Sequence, residues 1–150
     1  MQESANGQWQ TVDKTLRVIA KRRAQLDVVE AQYLREALTL EIWKPLGMVS
    51  ALDYLERVLG YSPHVGRERL RVAVALGELP ELAQALAHNE LSFSAVRELT
   101  RITIPETQAE WIAAAKGKNQ RQVEELVAGR KKAAGRVIRP IRICARAVCT

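Results

Sequence analysis

The sequence predicts an all-α protein, a multi-helix cluster of about seven helices that contains a helix-turn-helix and follows a long N-terminal helix. Aromatic residues make up only 5% of the 150 residues, whereas Ala, Leu, Val, Glu and Arg are abundant, which favours packed helices over a sheet sandwich. Apolar residues recur every three to four positions, the spacing of an amphipathic helix. Proline and glycine separate these periodic segments and mark where helices begin and end.

The N-terminal part of the chain predicts one long helix behind a short leader. Residues 1–12 are polar and are expected to form a flexible leader. Residues 13–42 are expected to form the helix, which ends where Pro45 and Gly47 interrupt the pattern. The basic run 21–23 breaks the apolar spacing, which is irregular rather than a clean heptad. Exposed apolar positions on this helix can pair with a second copy, so a homodimer is an open expectation.

A helix, a tight turn and a second helix are predicted next. Apolar spacing places the first helix at 51–59, and Gly60 stands where a residue with left-handed backbone would end it. Ser62 offers a hydroxyl that caps the second helix, and Pro63 occupies its first turn, where a missing N–H costs nothing. This punctuation is typical of a helix-turn-helix, whose second helix, here expected at 63–76, enters the DNA major groove.

The same punctuation divides the following residues into further helices. The residues that start them have capping or first-turn roles and are Pro80, Ser92, Pro105 and Asn119. The last of these helices is expected to end before Gly129. Residues 43–129 therefore form one predicted helical domain.

The residues expected to contact DNA lie in the turn and on the outward face of the second helix. They are Ser62, Pro63, His64, Gly66, Arg67, Arg69 and Arg71. Arg67 can form a bidentate pair with guanine or hold a phosphate, and the small Gly66 lets the backbone approach DNA closely. Val65 is expected to face the core instead. The alternative is that the arginines form an ordinary solvated face with the neighbouring glutamates.

The net charge of +6 comes from the last part of the chain. Residues 130–150 contain seven Lys and Arg and no Asp or Glu. A basic tail of this kind binds phosphates without sequence preference and with salt-dependent affinity. The tail residues expected to make such contacts are Arg130, Lys131, Lys132 and Arg136. The alternative is a remnant that binds polyanions only because it is basic. Alternating apolar residues between 137 and 148 predict a strand.

No residue pattern indicates metal, cofactor or nucleophilic chemistry. His64 and His88 are the only histidines, and neither has a second ligand at metal-binding spacing. Cys144 and Cys149 form neither a disulfide framework nor a metal motif. No base is placed to activate the capping serines. We therefore expect no enzyme activity, no metal, no cofactor and no small-molecule substrate.

Targeting and membrane signals are also not found in the sequence. No run approaches the roughly 20 apolar residues that a membrane span requires. The polar N-terminus lacks the basic and apolar regions of a signal peptide. The expectation is a cytoplasmic protein without a membrane partner.

Several short stretches resemble the helical domain that precedes the nuclease module of bacterial HNH endonuclease-type proteins. The stretches are residues 43–47, 59–65, 79–82, 91–99, 104–106 with Trp111, and 121–127. The order of helix-turn-helix, Leu-Pro break and Leu-Ser cap is also similar to the central DNA-binding domain of ParB-type chromosome-partitioning proteins. That family's arginine-rich nucleotide-binding segment is not found before the helix-turn-helix. The resemblance covers residues 43–129.

The resemblance implies that this chain binds double-stranded DNA and that cleavage belongs to the HNH module. The His, Asn and metal ligands of an HNH site are not found in this sequence, so the chain resembles a member truncated before that module. The alternative is a protein-interaction or structural helical domain, in which the turn is only a packing corner.

Overall fold

The computed structural model describes the backbone of residues 3–134 and the side chains of residues 7–130. This part of the chain is all-helical and contains no strand, so the predicted all-α cluster is confirmed. Its elements are α1 (Glu3–Leu40), α2 (Ala51–Arg57), α3 (Pro63–Leu76), α4 (Pro80–Ala87), α5 (Phe93–Leu99), a 3-10 turn (Pro105–Thr107), α6 (Gln108–Ala115) and α7 (Gln120–Ala134). The strand predicted between 137 and 148, Arg136, Cys144 and Cys149 lie outside the described residues.

Helix α1 begins earlier than the sequence pattern indicates. The leader expected at 1–12 is helical from Glu3 onward. Extending an existing helix adds one hydrogen bond per residue without a new nucleation step, so polar residues next to a long helix join it readily. The 38 residues of α1 give a helix about 57 Å long. Its first buried residue among the described side chains is Ala24, so the preceding part of α1 extends beyond the core.

The turn between α2 and α3 has the local structure that its residues predict. Helix α2 ends at Arg57, two residues earlier than expected, and Gly60 adopts a left-handed backbone with φ of +73°. The backbone N–H of Tyr61 then donates to the carbonyl of Leu55 at 3.2 Å. The hydroxyl of Ser62 accepts from the Val65 N–H at 3.4 Å and caps α3, whose bounds match the predicted 63–76.

One hydrophobic core joins the helices behind α3. Helix α1 packs across α3 and α4, α2 packs on α3, α4 packs on α6, and α5 packs on α7. The largest fully buried side chains are Trp43, Leu55, Leu82, Leu86, Leu99, Val72, Val96 and Val123. No helix in the described part of the chain combines the length and the apolar character needed to cross a membrane.

Helix α7 continues past the predicted stop at Gly129. The cost of one exposed helical glycine is only about 1 kcal/mol, and the residues that follow favour helix, so the helix runs to Ala134. Arg130 therefore belongs to α7, and its guanidinium lies 5.8 Å from the centre of the Trp111 ring. Trp111 itself is half-buried and packs against the core, as predicted.

Gly66 lies where α3 contacts α2, and it is buried rather than presented to DNA. A Cβ atom at this position would lie 2.9 Å from Leu52 Cδ1 and 3.7 Å from Leu55 Cβ. The 3.7 Å distance is an ordinary contact, whereas the end of the Leu52 side chain would have to shift to admit a Cβ, so the glycine gives Leu52 the space that it occupies between the two helices. The sequence-based interpretation that Gly66 allows approach to DNA is therefore wrong.

We expect that Gly66→Val lowers the free energy of unfolding by about 1–3 kcal/mol, because the added atoms displace the Leu52 side chain and crowd Leu55. Urea unfolding followed by circular dichroism measures this change. Gly129→Val is the matched control, since a Cβ at that helical position meets nothing within 4 Å. Equal stability of the two variants would contradict the packing role.

Candidate nucleic-acid interface

The three arginines of α3 have different surroundings, although they occupy alternate positions within five residues of sequence. Residues two positions apart on a helix point in different directions, because each residue advances about 100° around the axis. Arg67 is exposed, whereas the side chains of Arg69 and Arg71 are largely buried. The structure therefore separates one accessible arginine from two that contact other helices.

Arg69 is held between α1 and α5 and is not part of an open DNA-binding face. Its Nη1 donates to Asp27 Oδ1 at 2.6 Å and lies 3.9 Å from Glu30 Oε1, both on α1. Its guanidinium stacks 3.9 Å from the centre of the Phe93 ring and 5.7 Å from that of Tyr61. The side chain is 20% exposed and its charge is paired within the fold, so Arg69, predicted to contact DNA, lies apart from the exposed residues at the start of α3.

Tyr61 joins the α2–α3 turn to the same acidic pair. Its hydroxyl lies 2.7 Å and 2.9 Å from the two carboxylate oxygens of Glu30, to which it donates. Burial, followed by the hydrogen bond and the charge of Glu30, raises the pKa of Tyr61 to about 12. The turn that precedes α3 is thereby fixed to α1.

Arg71 is likewise occupied, on the side of α3 that faces α5. Its Nη2 donates to Glu68 Oε2 at 3.0 Å and to the Arg97 carbonyl at 2.9 Å. Its Nη1 donates to the Thr100 hydroxyl at 3.0 Å. These bonds hold α5 against α3, so Arg71, also predicted to contact DNA, is bonded within the fold.

Glu68 is the shared acceptor of this second network. Its Oε2 accepts from Arg101 Nη2 at 3.1 Å as well as from Arg71. Burial raises the pKa of Glu68, but the hydrogen bond from Arg71 and the charges of Arg71, Arg101 and Arg97 together outweigh it and hold the pKa below its usual value. The carboxylate stays ionised because cations surround it.

The first turn of α3 contains the predicted site residues that are accessible. Ser62, Pro63, His64 and Arg67 are exposed, and Val65, expected in the core, is 40% exposed. Val65 is exposed because the buried stripe of α3 follows Gly66, Leu70 and Ala73, which lie on another side of the helix. These five exposed residues form the candidate interface, and the hydroxyl of Ser62 is used as the helix cap.

The charges at the candidate interface favour the binding of an anion. The first turn of α3 contains no acidic residue, so the positive end of the helix dipole is not compensated there. Among the described residues, Arg67 forms no hydrogen bond or ion pair. An exposed guanidinium beside a helix N-terminus is suited to phosphate or to a base edge.

Within the described residues, no group of three or more His, Cys, Asp or Glu side chains could hold a metal ion. His64 and His88 are both exposed, and His88 forms the C-terminal cap of α4.

Comparison with protein families gives a match over most of the chain. The model of the domain of unknown function DUF222 matches residues 13–146. The chain belongs to the DUF222 family. Comparisons with curated proteins and with solved structures gave no match. The matched region includes most of α1 and all of α2–α7, so in this DUF222 member most of α1 belongs to the same domain as α3.

The sequence did not reveal the two networks that hold α3 in this DUF222 domain. Arg69 contacts Asp27 and Glu30, which lie three positions apart on one face of α1, and the ring of Phe93 on α5. Spacing on α1 gives a signal that these carboxylates lie together. Nothing local to α3 indicates that Arg69, rather than Arg67, is the arginine that meets them.

We expect two arginine substitutions to differ in their effect on the stability of the DUF222 domain. Arg69→Ala should lower the free energy of unfolding by about 2–4 kcal/mol, because it leaves two half-buried carboxylates without their cation. Arg67→Ala should change it by less than about 0.5 kcal/mol, since Arg67 is a surface residue. Chemical denaturation of both variants tests this, and similar losses would show that Arg67 also supports the fold.

The lowered pKa of Glu68 predicts an acid-dependent loss of stability. The ionised form is favoured in the folded state, so the contribution is complete above the pKa of the unfolded chain and is lost as the pH falls through the folded pKa. At pH 7, Glu68→Gln should lower the free energy of unfolding by about 1–3 kcal/mol. Denaturation at a series of pH values should show this difference shrinking in acid below the usual glutamate range. A difference independent of pH would contradict the assignment.

Proposed function

We propose that this DUF222 domain binds double-stranded DNA through the first turn of α3. The observation that carries the proposal is the exposed guanidinium of Arg67, unpaired within the described residues, beside a capped helix N-terminus without acidic residues. Helix N-termini attract phosphates through the helix dipole and through backbone N–H groups. At α3 the dipole is the larger contribution, because Pro63 has no N–H and the N–H groups of Val65 and Gly66 already bond to Ser62. In this proposal α2, the turn and α3 form a helix-turn-helix.

Each exposed residue of the interface has a role that fits its chemistry. Arg67 pairs with guanine O6 and N7 or with a phosphate oxygen. His64 donates to a phosphate, and Val65 supplies an apolar contact to a thymine methyl group. Ser62 and Pro63 act on DNA indirectly, because they fix the position at which α3 begins.

The family supports the same proposal. DUF222 domains occur N-terminal to HNH endonuclease domains, a position from which a DNA-binding domain delivers the duplex to the nuclease. We assign cleavage to such a module and no catalytic step to α1–α7. The order of motifs shared with ParB-type DNA-binding domains fits the same function. Arg130, Lys131, Lys132 and Arg136 add salt-dependent phosphate contacts that carry no sequence information.

A protein-interaction domain is the second candidate function, and one observation favours it. Helix α1 exposes large apolar side chains, among them Leu16, Leu26 and Tyr33. Contiguous apolar surface is typical of a protein contact. The two functions use different surfaces, so a single set of variants separates them.

We expect Arg67→Ala to weaken binding of a fluorescent duplex by about 5- to 150-fold, the effect of losing a contact of about 1–3 kcal/mol. Fluorescence anisotropy across a salt series measures it. Arg17→Ala is the control with the same charge change, since Arg17 is exposed on the part of α1 that extends beyond the core. A chain ending after Ala134 removes much of the basic tail and keeps α7 whole.

The outcomes of this experiment distinguish DNA binding by α3 from a protein-interaction function. Arg67-dependent binding that persists without the tail supports DNA recognition by α3. Equal binding by Arg67→Ala and Arg17→Ala, or binding that disappears with the tail, would contradict it and favour the protein-interaction function.

A further inference from the structure

Helix α1 carries a stripe of exposed apolar residues that runs along most of its length. The exposed fractions of its larger members are 59% for Leu16, 66% for Leu26, 63% for Tyr33 and 73% for Leu40. A stripe of this length on one helix is unusual for a side exposed to water, because surface apolar residues normally occur singly.

The stripe follows a heptad when two charged residues are counted as members. Its positions alternate in steps of four and three residues and are Val12, Leu16, Ile19, Arg23, Leu26, Glu30, Tyr33, Ala37 and Leu40. This is the spacing of the contact positions of a coiled coil. Of the basic run 21–23, which made the apolar spacing irregular, Arg23 falls within the stripe, and the large apolar members on either side of it are exposed.

The core packs on a different side of α1. The residues that contact the rest of the domain include Ala24, Asp27, Ala31 and Leu34, each one position after a member of the stripe. One position along a helix turns the side chain by about 100°. The stripe therefore lies beside the domain, and its large apolar members are exposed, whereas Glu30 already accepts a hydrogen bond from Tyr61.

We propose that the stripe binds the same stripe of a second copy of this chain, as an antiparallel pair of α1 helices. Antiparallel pairing that places Leu16 against Tyr33 of the other copy also places Val12 against Ala37 and Arg23 against Leu26. Every apolar member from Val12 to Ala37 then meets another member of the stripe, and the two helices overlap over this range in both directions.

The two charged members of the stripe favour the antiparallel orientation of the two helices over the parallel one. Parallel pairing in register places Arg23 against Arg23 and Glu30 against Glu30, so that like charges meet in the contact. Antiparallel pairing places Ile19 against Glu30 of the other copy, and Arg23, one turn further along, reaches toward that carboxylate. A carboxylate accepts several hydrogen bonds, so Glu30 can bind Arg23 of the partner as well as its own Tyr61.

The surroundings of the stripe supply a place for the partner helix. A groove of about 510 Å³ continues the stripe and is lined partly by Tyr33, Leu40, Tyr54 and Leu59. In the antiparallel pair, the part of α1 that extends beyond one core lies beside this groove of the other copy. A helix without packing partners is only marginally stable in water, and this contact provides them.

The oligomeric state of the full chain tests the proposal. In light scattering after size exclusion, we expect twice the mass of one chain for the unchanged protein and for Val18→Glu. We expect the mass of one chain for Leu16→Glu. Val18 is the matched control because it is 50% exposed on the same helix but lies outside the stripe. An unchanged protein with monomer mass, or the same mass for both variants, would overturn the proposal.

Cross-linking tests the orientation in chains carrying Cys144→Ser and Cys149→Ser. A short thiol cross-linker should join a Val12→Cys chain to an Ala37→Cys chain when the two are mixed, and should leave Val12→Cys alone uncoupled. Coupling of Val12→Cys with itself would overturn the antiparallel arrangement. The variants keep Arg67 and the α3 turn, so failure here does not affect the proposed DNA contact.

Discussion

The position of α3 depends on one cation, the guanidinium of Arg69. It pairs with Asp27 and Glu30 on α1, stacks on Phe93 of α5 and lies near Tyr61 of the turn, so four parts of the chain meet at one side chain. Removing charges from water is costly, and the arrangement is tolerated because carboxylates and ring faces replace the lost water. A planar guanidinium can stack and donate at once, which an ammonium group cannot do.

This use of Arg69, together with the bonds of Arg71 to Glu68 and α5, leaves Arg67 as the accessible arginine of α3. The same networks make its position well defined. Because α3 is fixed on one side to α1 and on another to α5, its first turn has little freedom relative to the core. A rigid scaffold beneath a few exposed groups is the condition under which such groups can recognise a ligand with specificity.

The bounds of α3 could be predicted from neighbouring residues in the sequence, whereas its contacts with other helices could not. Ser62 and Pro63 act within one turn of chain, so sequence alone places the start of the helix correctly. Arg69 meets a carboxylate 42 residues away, and its alternation with Arg67 and Arg71 resembles a basic face. Gly66 misled for the same reason: its neighbour is Leu52 on another helix. Partners that are distant in sequence decide which residues of an amphipathic pattern are available for function.

The geometry of α1 relates the two proposed surfaces. An antiparallel pair of helices has a two-fold axis perpendicular to the plane that contains both helices. The stripe points at the partner helix, and the core attaches to α1 about 100° around the helix from the stripe, so the direction from α1 to the core is roughly parallel to the two-fold axis. A rotation about the axis leaves this direction unchanged. Both cores therefore lie on the same side of the pair. Asp27, which holds Arg69 of α3, is near the middle of the overlap, so the two α3 helices are anchored close to the axis. A pair of this kind presents two related α3 helices together, the arrangement with which dimeric helix-turn-helix proteins contact two half-sites.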